Sequence, residues 1–210
     1  MHSDESTLPD DIDEVLLRAG YRADGTFDAV ILAHLSDDAP RRRVLALRAA
    51  LRRSIVTDDI WRAALCDADV DVRREALTLI AGATWGDDSL FEVLLAALDD
   101  PDALVVDGAV FALGEHLHAP AVEALVHVAG AHEDARCRES AIAALGAIGD
   151  DRARPVILAA LDDKPAVRRR AIVALANFEG PDIEAALMRA SEDRDWQVRA
   201  AVDQLGRTEQ

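Results

Sequence analysis

Residues 153–178, ARPVILAALDDKPAVRRRAIVALANF, contain one complete pair of predicted helices. The first helix begins near Pro155, where the missing backbone N–H costs little in a first turn. The acidic turn Asp162–Pro165 ends it. The second helix carries apolar residues four positions apart, which are Val167, Ala171 and Leu175. Residues at that spacing share one helix face, so the segment predicts a helical hairpin with a buried seam.

The same apolar pattern recurs along the chain. A small residue is followed four positions later by a large aliphatic one at Ala76/Ile80, Ala109/Leu113, Ala141/Leu145, Ala171/Leu175 and Ala201/Leu205. Successive pairs lie 33, 32, 30 and 30 residues apart. Self-similarity at this period is typical of stacked helical hairpins. We therefore predict an all-α fold, a right-handed α-α superhelix of six hairpins with a cap helix near residues 9–19.

The repeats define the predicted domain limits. We expect one solenoid domain over residues 9–207, a disordered N-terminus at residues 1–8 and a tail at residues 208–210. The first repeat is degenerate in this interpretation, because the pair Leu47/Leu51 puts a leucine at the small position.

Charge and composition limit the function classes. The net charge of −17 predicts repulsion of other polyanions and disfavours nucleic acid as a partner. No run of 18 residues is apolar and uncharged, so we expect no membrane span. Cys66 and Cys137 form no CxxC pair, and the polar N-terminal sequence is unlike a secretory signal. These features predict a cytoplasmic protein.

A longer motif accompanies the apolar pattern. The pattern Asp-x-x-x-x-Val-Arg-x-x-Ala-x-x-x-Leu occurs at residues 67–80, with Ile80 in the last position, and at residues 162–175. It resembles the HEAT repeat, in particular the short bacterial HEAT-like repeats also found in phycobilin lyases. The resemblance covers most of the chain.

The resemblance implies a ladder of ion pairs between turn acids and Val-Arg arginines. The implied ladder arginines are Arg73, Arg138 and Arg168, with Arg199 as a looser match in a shorter last repeat. The repeat at residues 99–114 departs, with Val106 and Asp107 in the place of Val-Arg.

The resemblance also implies that positions just after Val-Arg face a concave groove. These positions are Arg74, Glu75, Asp107, Phe111, Glu139, Arg169, Arg170 and Val173. Along the chain, the side chains at these positions are of mixed charge at residues 74–75, acidic with one aromatic at residues 107–139, and basic at residues 169–170. We therefore expect a monomeric, non-catalytic scaffold whose partner is a protein or peptide. We expect the bound segment of the partner to place an apolar anchor near Phe111 and acidic residues toward Arg169 and Arg170.

Other functions have weaker support in the sequence. Four histidines fall within residues 116–132, at His116, His118, His127 and His132. His116 and His118 lie on different helix faces, and no HExxH motif accompanies them, so we expect polar histidines and no metal. Nucleophile elbows and phosphate-binding loops are absent from the sequence, so we predict no catalytic residue and no cofactor. The resemblance leaves a HEAT-like lyase or oxidoreductase-type enzyme, or a subunit of one, as the alternative, followed by a HEAT-like DNA-binding protein.

Two more surfaces have open interpretations. The basic run at residues 41–53 places Arg41, Arg48 and Arg52 on one helical stripe. It is either a patch for an acidic peptide or a solvated face neutralised by nearby aspartates. Trp85, in a glycine-containing loop, either anchors a partner or plugs the apolar core.

Overall fold

The chain folds into helix pairs that follow one another along the sequence. The computed structural model describes residues 11–21, 25–83, 88–117 and 119–208. Its α-helices are α1 (Ile12–Ala19), α2 (Asp28–His34), α3 (Pro40–Arg52), α4 (Asp58–Leu65), α5 (Val70–Ile80), α6 (Asp88–Ala96), α7 (Ala103–Glu115), α8 (Val122–Ala131), α9 (Ala135–Ile148), α10 (Arg154–Ala159), α11 (Pro165–Leu175), α12 (Pro181–Ala190) and α13 (Trp196–Thr208). None of the described residues forms a strand. The predicted all-α class, with a cap helix and six pairs, is confirmed.

The helices group into two compact units, residues 1–93 and residues 94–210. The single solenoid domain over residues 9–207 stays a prediction. Residues 1–8, predicted to be disordered, lie outside the described residues, as do residues 209–210 of the predicted tail. No helix in the described part of the chain is both long and apolar enough to span a bilayer.

Acidic turns start the second helix of several pairs. Asp69 accepts hydrogen bonds from the backbone N–H groups of Asp71 and Val72, at 2.9 and 3.4 Å. Asp102 caps α7 in the same way, at 3.0 and 3.1 Å. A side-chain oxygen at this position satisfies N–H groups that the helix leaves unpaired, and its charge suits the positive helix end. The aspartates that the sequence places in these turns therefore fix where the second helices begin.

The core of the first unit lies around α3. Helices α1 and α2 both pack against α3, and α3 packs against α5. The fully or nearly fully buried residues of this core are Leu16, Ala19, Ile31, Leu45, Ala46, Ala49 and Ala50. Trp61 on α4 is also buried, as its helical spacing with Leu65 predicts.

The second unit is built on a row of second helices. Helix α9 packs between α7 and α11, and α11 packs against α13. A Cβ on Gly114 would lie 2.8 Å from the Cβ of Ala144, and one on Gly146 would lie 2.6 Å from the Cβ of Ala174. Both distances are shorter than van der Waals contact, so glycine at these two positions allows the helices to approach closely.

Candidate functional site

One backbone hydrogen bond puts all six second helices in a common register. In each, a residue near the helix start donates its N–H to the carbonyl four residues earlier. These donors are Arg43, Arg73, Val106, Arg138, Arg168 and Arg199. We call this the rung position. Since Arg43 and Arg73 are equivalent, Ala46 corresponds to Ala76, and the sequence-based choice of Leu47 as the small residue was one position out.

Arginines at the rung position connect neighbouring repeats. Arg43, Arg138 and Arg168 each donate through Nε and Nη2 to the aspartate of the next turn. The bonds to Asp67 measure 2.7 and 2.6 Å, those to Asp163 both 2.7 Å, and those to Asp193 2.9 and 2.7 Å. The Nη1 group of each arginine donates to a carbonyl of its own turn. Bidentate, charge-assisted bonds of this kind are among the stronger polar contacts in proteins.

The arginines lower the pKa values of their partner aspartates. The hydrogen bond from Arg138 holds the pKa of Asp163 below its ordinary value, and Arg168 does the same for the pKa of Asp193. Arg73 donates to the carbonyls of Asp67 and Ala68 in its own turn, and its place in the ladder between repeats stays a prediction. Arg43 is a ladder residue that the sequence analysis missed.

The ladder lacks both charges at one rung. Val106 occupies the rung position of α7 and is fully buried. The next turn has His132 where other turns have aspartate: its Nδ1 accepts the N–H of Asp134 at 3.1 Å. Val105 and Val106, rather than Val106 and Asp107, therefore replace Val-Arg in this repeat. The expectation for this pair was wrong by one residue because no arginine marks the register.

The remaining candidate ligands do not converge. His132 serves its turn, His127 is exposed on α8, and His118 lies outside the described residues. Among the described residues, no three metal-ligating side chains come together. The thiol of Cys137 is buried 3.2 Å from the carbonyl of Ala103, and burial raises its pKa to about 11.

The basic run at residues 41–53 is paired within the first unit. Arg41 and Arg42 contact Asp13, Arg48 contacts Glu75, Arg53 contacts Asp28, and Arg52 lies 4.8 Å from the ring centre of Tyr21. The charges of this run are therefore largely neutralised. Several of the partners, such as Asp13, Asp28 and Glu75, are not the aspartates that lie closest to the run in sequence. Trp85, the other proposed surface, lies outside the described residues.

The eight predicted groove residues are divided between the two units. Arg74 and Glu75 lie on α5 in the first unit. Glu75 accepts two hydrogen bonds from Arg48, at 2.6 and 2.7 Å, so its carboxylate is already paired. Arg74 lies 3.4 Å from Asp71. The other six, Asp107, Phe111, Glu139, Arg169, Arg170 and Val173, lie on α7, α9 and α11 of the second unit.

Two pockets bring most of those six residues together. We call the exposed surface of α7, α9, α11 and α13 the second-helix face. Its first pocket, about 380 Å³, is lined by Phe111, Gly114, Glu115, Glu139, Ser140, Ala143, Ala144, Ala147 and Arg170. Its second pocket, about 350 Å³, is lined by Arg169, Arg170, Val173, Trp196, Gln197, Ala200, Ala201 and Gln204. Asp107 accepts a hydrogen bond from Ser140 beside the first pocket.

The second-helix face combines exposed apolar side chains with separated charges. Phe111 is 56% exposed, Val173 49% and Trp196 66%. Acidic Asp107 and Glu115 lie on α7, whereas basic Arg169 and Arg170 lie on α11. Trp196 was not among the predicted groove residues, because it precedes Val198 and Arg199 and the resemblance implied only positions just after Val-Arg. An arrangement of this kind suits binding of a segment that is both apolar and charged.

Family models identify the repeats. Residues 92–166 match a model described as HEAT repeats, and residues 167–193 match one described as the PBS lyase HEAT-like repeat. The predicted resemblance to HEAT repeats is confirmed. No curated protein sequence matches the chain.

Solved HEAT-like and armadillo structures have the same fold. A chain of the CpcE–CpcF complex of phycocyanin lyase from Nostoc sp. is 20% identical, with a TM-score of 0.64, over 72% of this chain and 64% of that one. The Escherichia coli protein YIBA is 18% identical, with a TM-score of 0.64, over 96% and 74% of the two chains. A designed armadillo repeat protein in complex with the peptide (KR)4 is 16% identical, with a TM-score of 0.65, over 89% and 100%. The chain thus spans under two thirds of the lyase chain, and identities this low show the fold alone.

Proposed function

We propose that this chain is a non-catalytic scaffold that binds an extended segment of a partner protein on the second-helix face of its second unit. The observation that carries the proposal is the exposure of Phe111, Val173 and Trp196 beside two pockets. Exposed aromatic side chains next to pockets are the usual anchors of protein interfaces. The glycines that bring the helices together give these anchors a rigid base.

The structural relatives support this class of function. The designed armadillo relative is described as bound to a peptide, and the lyase relative is described as a complex of two proteins. This chain shares their repeat architecture, whose surfaces suit extended partners. We further propose that it acts as a cytoplasmic monomer, and sedimentation at micromolar concentration that gives a dimer would contradict that part.

The test begins with a random peptide display library selected on the full chain. Selected peptides are synthesised and titrated against wild type, Phe111→Ala and Trp196→Ala. Removing an aromatic anchor that the peptide covers should weaken binding about tenfold or more, which corresponds to about 1.4 kcal/mol. Charge reversal at Arg169 and Arg170 should mainly alter the salt dependence of binding.

Met188→Ala provides the matched control. Met188 is exposed on α12, a first helix, and lines neither pocket of the second-helix face. Its substitution should leave the affinity unchanged. If Met188→Ala weakens binding while Phe111→Ala and Trp196→Ala do not, the partner binds elsewhere and the proposed site is wrong.

A second candidate function is a subunit of a lyase-type enzyme. The match of residues 167–193 to the PBS lyase HEAT-like repeat and the similarity to the phycocyanin lyase complex favour it. The purified chain can be mixed with a free bilin and followed by absorbance. A stoichiometric spectral change would favour the lyase-type role over a scaffold, whereas an unchanged spectrum would favour the scaffold.

A further inference from the structure

A groove of about 680 Å³ lies in the first unit between α2 and α4, the first helices of two consecutive pairs. We call it the first-helix groove. Its apolar lining includes Leu32, Leu35, Leu47, Ile60, Ala64 and Val72. Leu47, Ala64 and Val72 are buried and form its floor, whereas Leu32 is 45% exposed. An open apolar pocket of this size is a usual form of binding site.

The groove is not a gap that every repeat leaves. Counted from the rung position, Ala63 of α4 and Arg189 of α12 are equivalent. The pocket at the equivalent place beside α12 is about 290 Å³, less than half as large, and Arg189 lines it. The small side chain of Ala63 therefore leaves open a space that a long side chain narrows in the last repeat.

The charged lining of the groove is mostly acidic. It consists of Asp37, Asp38, Asp59, Asp67 and Arg43. Arg43 is fully used, because its Nε and Nη2 donate to Asp67 and its Nη1 donates to a turn carbonyl. The charges of Arg43 and Asp67 cancel, so Asp37, Asp38 and Asp59 leave the lining negative.

These three carboxylates differ in how far neighbouring cations neutralise them. Arg42 lies 3.6 Å from Asp37, and Nε2 of His34 lies 3.9 Å from it. Asp38 is exposed, and its carboxylate has no hydrogen bond or ion pair within the described part of the chain. Asp38 is therefore open to a cation from outside.

Asp59 is also accessible to a partner. Its side chain is 92% exposed, and it pairs with Arg62 on the same helix at 2.7 Å. Exposed pairs of this kind contribute little to stability, and they leave most of the carboxylate in contact with water. A second cation can therefore approach Asp59 without breaking a strong contact.

Asp38 and Asp59 lie at opposite ends of the groove. Asp38 belongs to the turn after α2, which Arg43 joins to the turn after α4 through Asp67. Asp59 lies in the first turn of α4, at the other end of that eight-residue helix. At 1.5 Å per residue, the two carboxylates are about 10 Å apart along the groove.

We propose that the first-helix groove binds one helix of a partner protein, and that this helix presents basic, apolar, apolar and basic residues at positions i, i+3, i+4 and i+7. These positions share one helix face, and i to i+7 spans about 10.5 Å, which matches the spacing of Asp38 and Asp59. The apolar pair covers Leu32 and Ile60. An extended segment would place its two cations about three residues apart, with too few apolar residues between them to fill the groove.

This surface is separate from the second-helix face and adds a second contact to the protein. Helices that lay an apolar face into a groove are a recurrent mode of recognition. The net charge of −17 also attracts basic partners and speeds their encounter.

Four labelled helical peptides of sixteen residues, built of Ala and Gln, test the proposal by fluorescence anisotropy at 0.1 M salt. Three have Leu at positions 8 and 9, with Lys, Gln or Glu at positions 5 and 12. The fourth has Lys at positions 5 and 12 and Ala in place of both leucines. The full chain should bind the Lys–Leu peptide about fivefold more tightly than the Gln–Leu peptide, and the Glu–Leu peptide most weakly. Loss of both leucines should weaken binding tenfold or more.

A pair of alanine variants tests the location. Ala63→Gln should weaken binding of the Lys–Leu peptide about tenfold or more, because its longer side chain enters the groove. Ala63 is exposed and glutamine is a good helix former, so this variant should melt at the temperature of wild type. Ala33→Gln makes the same substitution at an exposed position of α2 outside the groove and should bind like wild type.

Charge variants test the two ends of the groove. Asp38→Asn and Asp59→Asn should each reduce the preference for the Lys–Leu over the Gln–Leu peptide about twofold. Asp203→Asn removes the same charge from an exposed position on α13 and should keep the preference.

The outcomes separate this inference from the proposed function. Equal binding of the Lys–Leu, Gln–Leu and Glu–Leu peptides, or no binding of the Lys–Leu peptide, would overturn it. Wild-type affinity of Ala63→Gln would overturn the location. A loss of binding with Phe111→Ala but not with Ala63→Gln would place the peptide on the second-helix face, which overturns this inference and supports the proposed function.

Discussion

Gly146→Ala tests the close packing on which the second-helix face depends. A Cβ at this position would lie 2.6 Å from the Cβ and 2.8 Å from the Cα of Ala174. Because Cα belongs to the backbone, no side-chain rotation relieves the clash, and α9 and α11 must separate. Separation would also stretch the 2.8 Å hydrogen bond from Asn177 to the carbonyl of Gly146. The substitution therefore weakens a junction between repeats rather than a single contact.

The expected magnitude is the difference of two effects. Overpacking costs about 1–3 kcal/mol, while alanine has a helix propensity about 0.8–1 kcal/mol better than that of glycine. We expect a net loss of up to about 2 kcal/mol in the free energy of unfolding, measured by urea denaturation with far-UV circular dichroism. Gly130→Ala on α8 is the control, because its nearest atom, Val156 Cγ2, lies at an ordinary 3.5 Å. The Gly130→Ala variant should have the same free energy of unfolding as wild type, or a value higher by up to about 1 kcal/mol. Equal stability of the two variants would refute the close approach of α9 and α11.

Three further predictions concern the ladder, the thiols and the small anchors. Asp193→Asn should lower the free energy of unfolding by about 2 kcal/mol at pH 7. Since Arg168 holds the pKa of Asp193 below its ordinary value, this contribution is complete above the unfolded pKa of about 3.9 and is lost as the pH falls through the lower folded pKa. Urea titrations from pH 7 to pH 2 should therefore show the variant converging on wild type, and a constant difference would contradict the ion pair. A thiol reagent should modify exposed Cys66 and spare buried Cys137 until the protein unfolds, so rapid reaction of both would contradict the packing of α9. Ala171→Leu should cost about 1–3 kcal/mol in urea denaturation, and wild-type stability would mean that this alanine is not at a tight helix crossing.

The repeat architecture could be predicted because it depends on local patterns. The four-residue spacing of apolar residues predicts the helices, and the acidic turns predict where they begin and end. The regular recurrence of the small residues predicts that the hairpins stack. The register of individual repeats was less predictable. Leu47 seemed the wrong size for its position only because Ala46 is the true equivalent of Ala76, which Arg43 marks through its backbone hydrogen bond.

Apart from the ladder, contacts between repeats could not be predicted from the sequence. The pairing of Arg48 with Glu75, and the sharing of Glu139 by Arg169 and Arg170, join residues on different helices. Their geometry depends on the relative rotation of those helices, which packing of many side chains determines. Trp196 was missed because the resemblance implied only positions after Val-Arg, whereas Trp196 begins α13 ahead of Val198 and Arg199. That the predicted groove residues bind a partner stays a prediction.

The rung that lacks both charges also determines which repeats can be copied. A rung consists of an arginine from one repeat and a turn acid from the next, so it belongs to the junction between them. A tandem duplicate of α10–α11 would place Arg168 of the first copy against Asp163 of the second, and the ion pair would form again. A duplicate of α8–α9 would place Arg138 against His132, without a carboxylate to receive it. The array can therefore lengthen by duplication at α10–α11, whereas a copy of α8–α9 would also need a change in its turn.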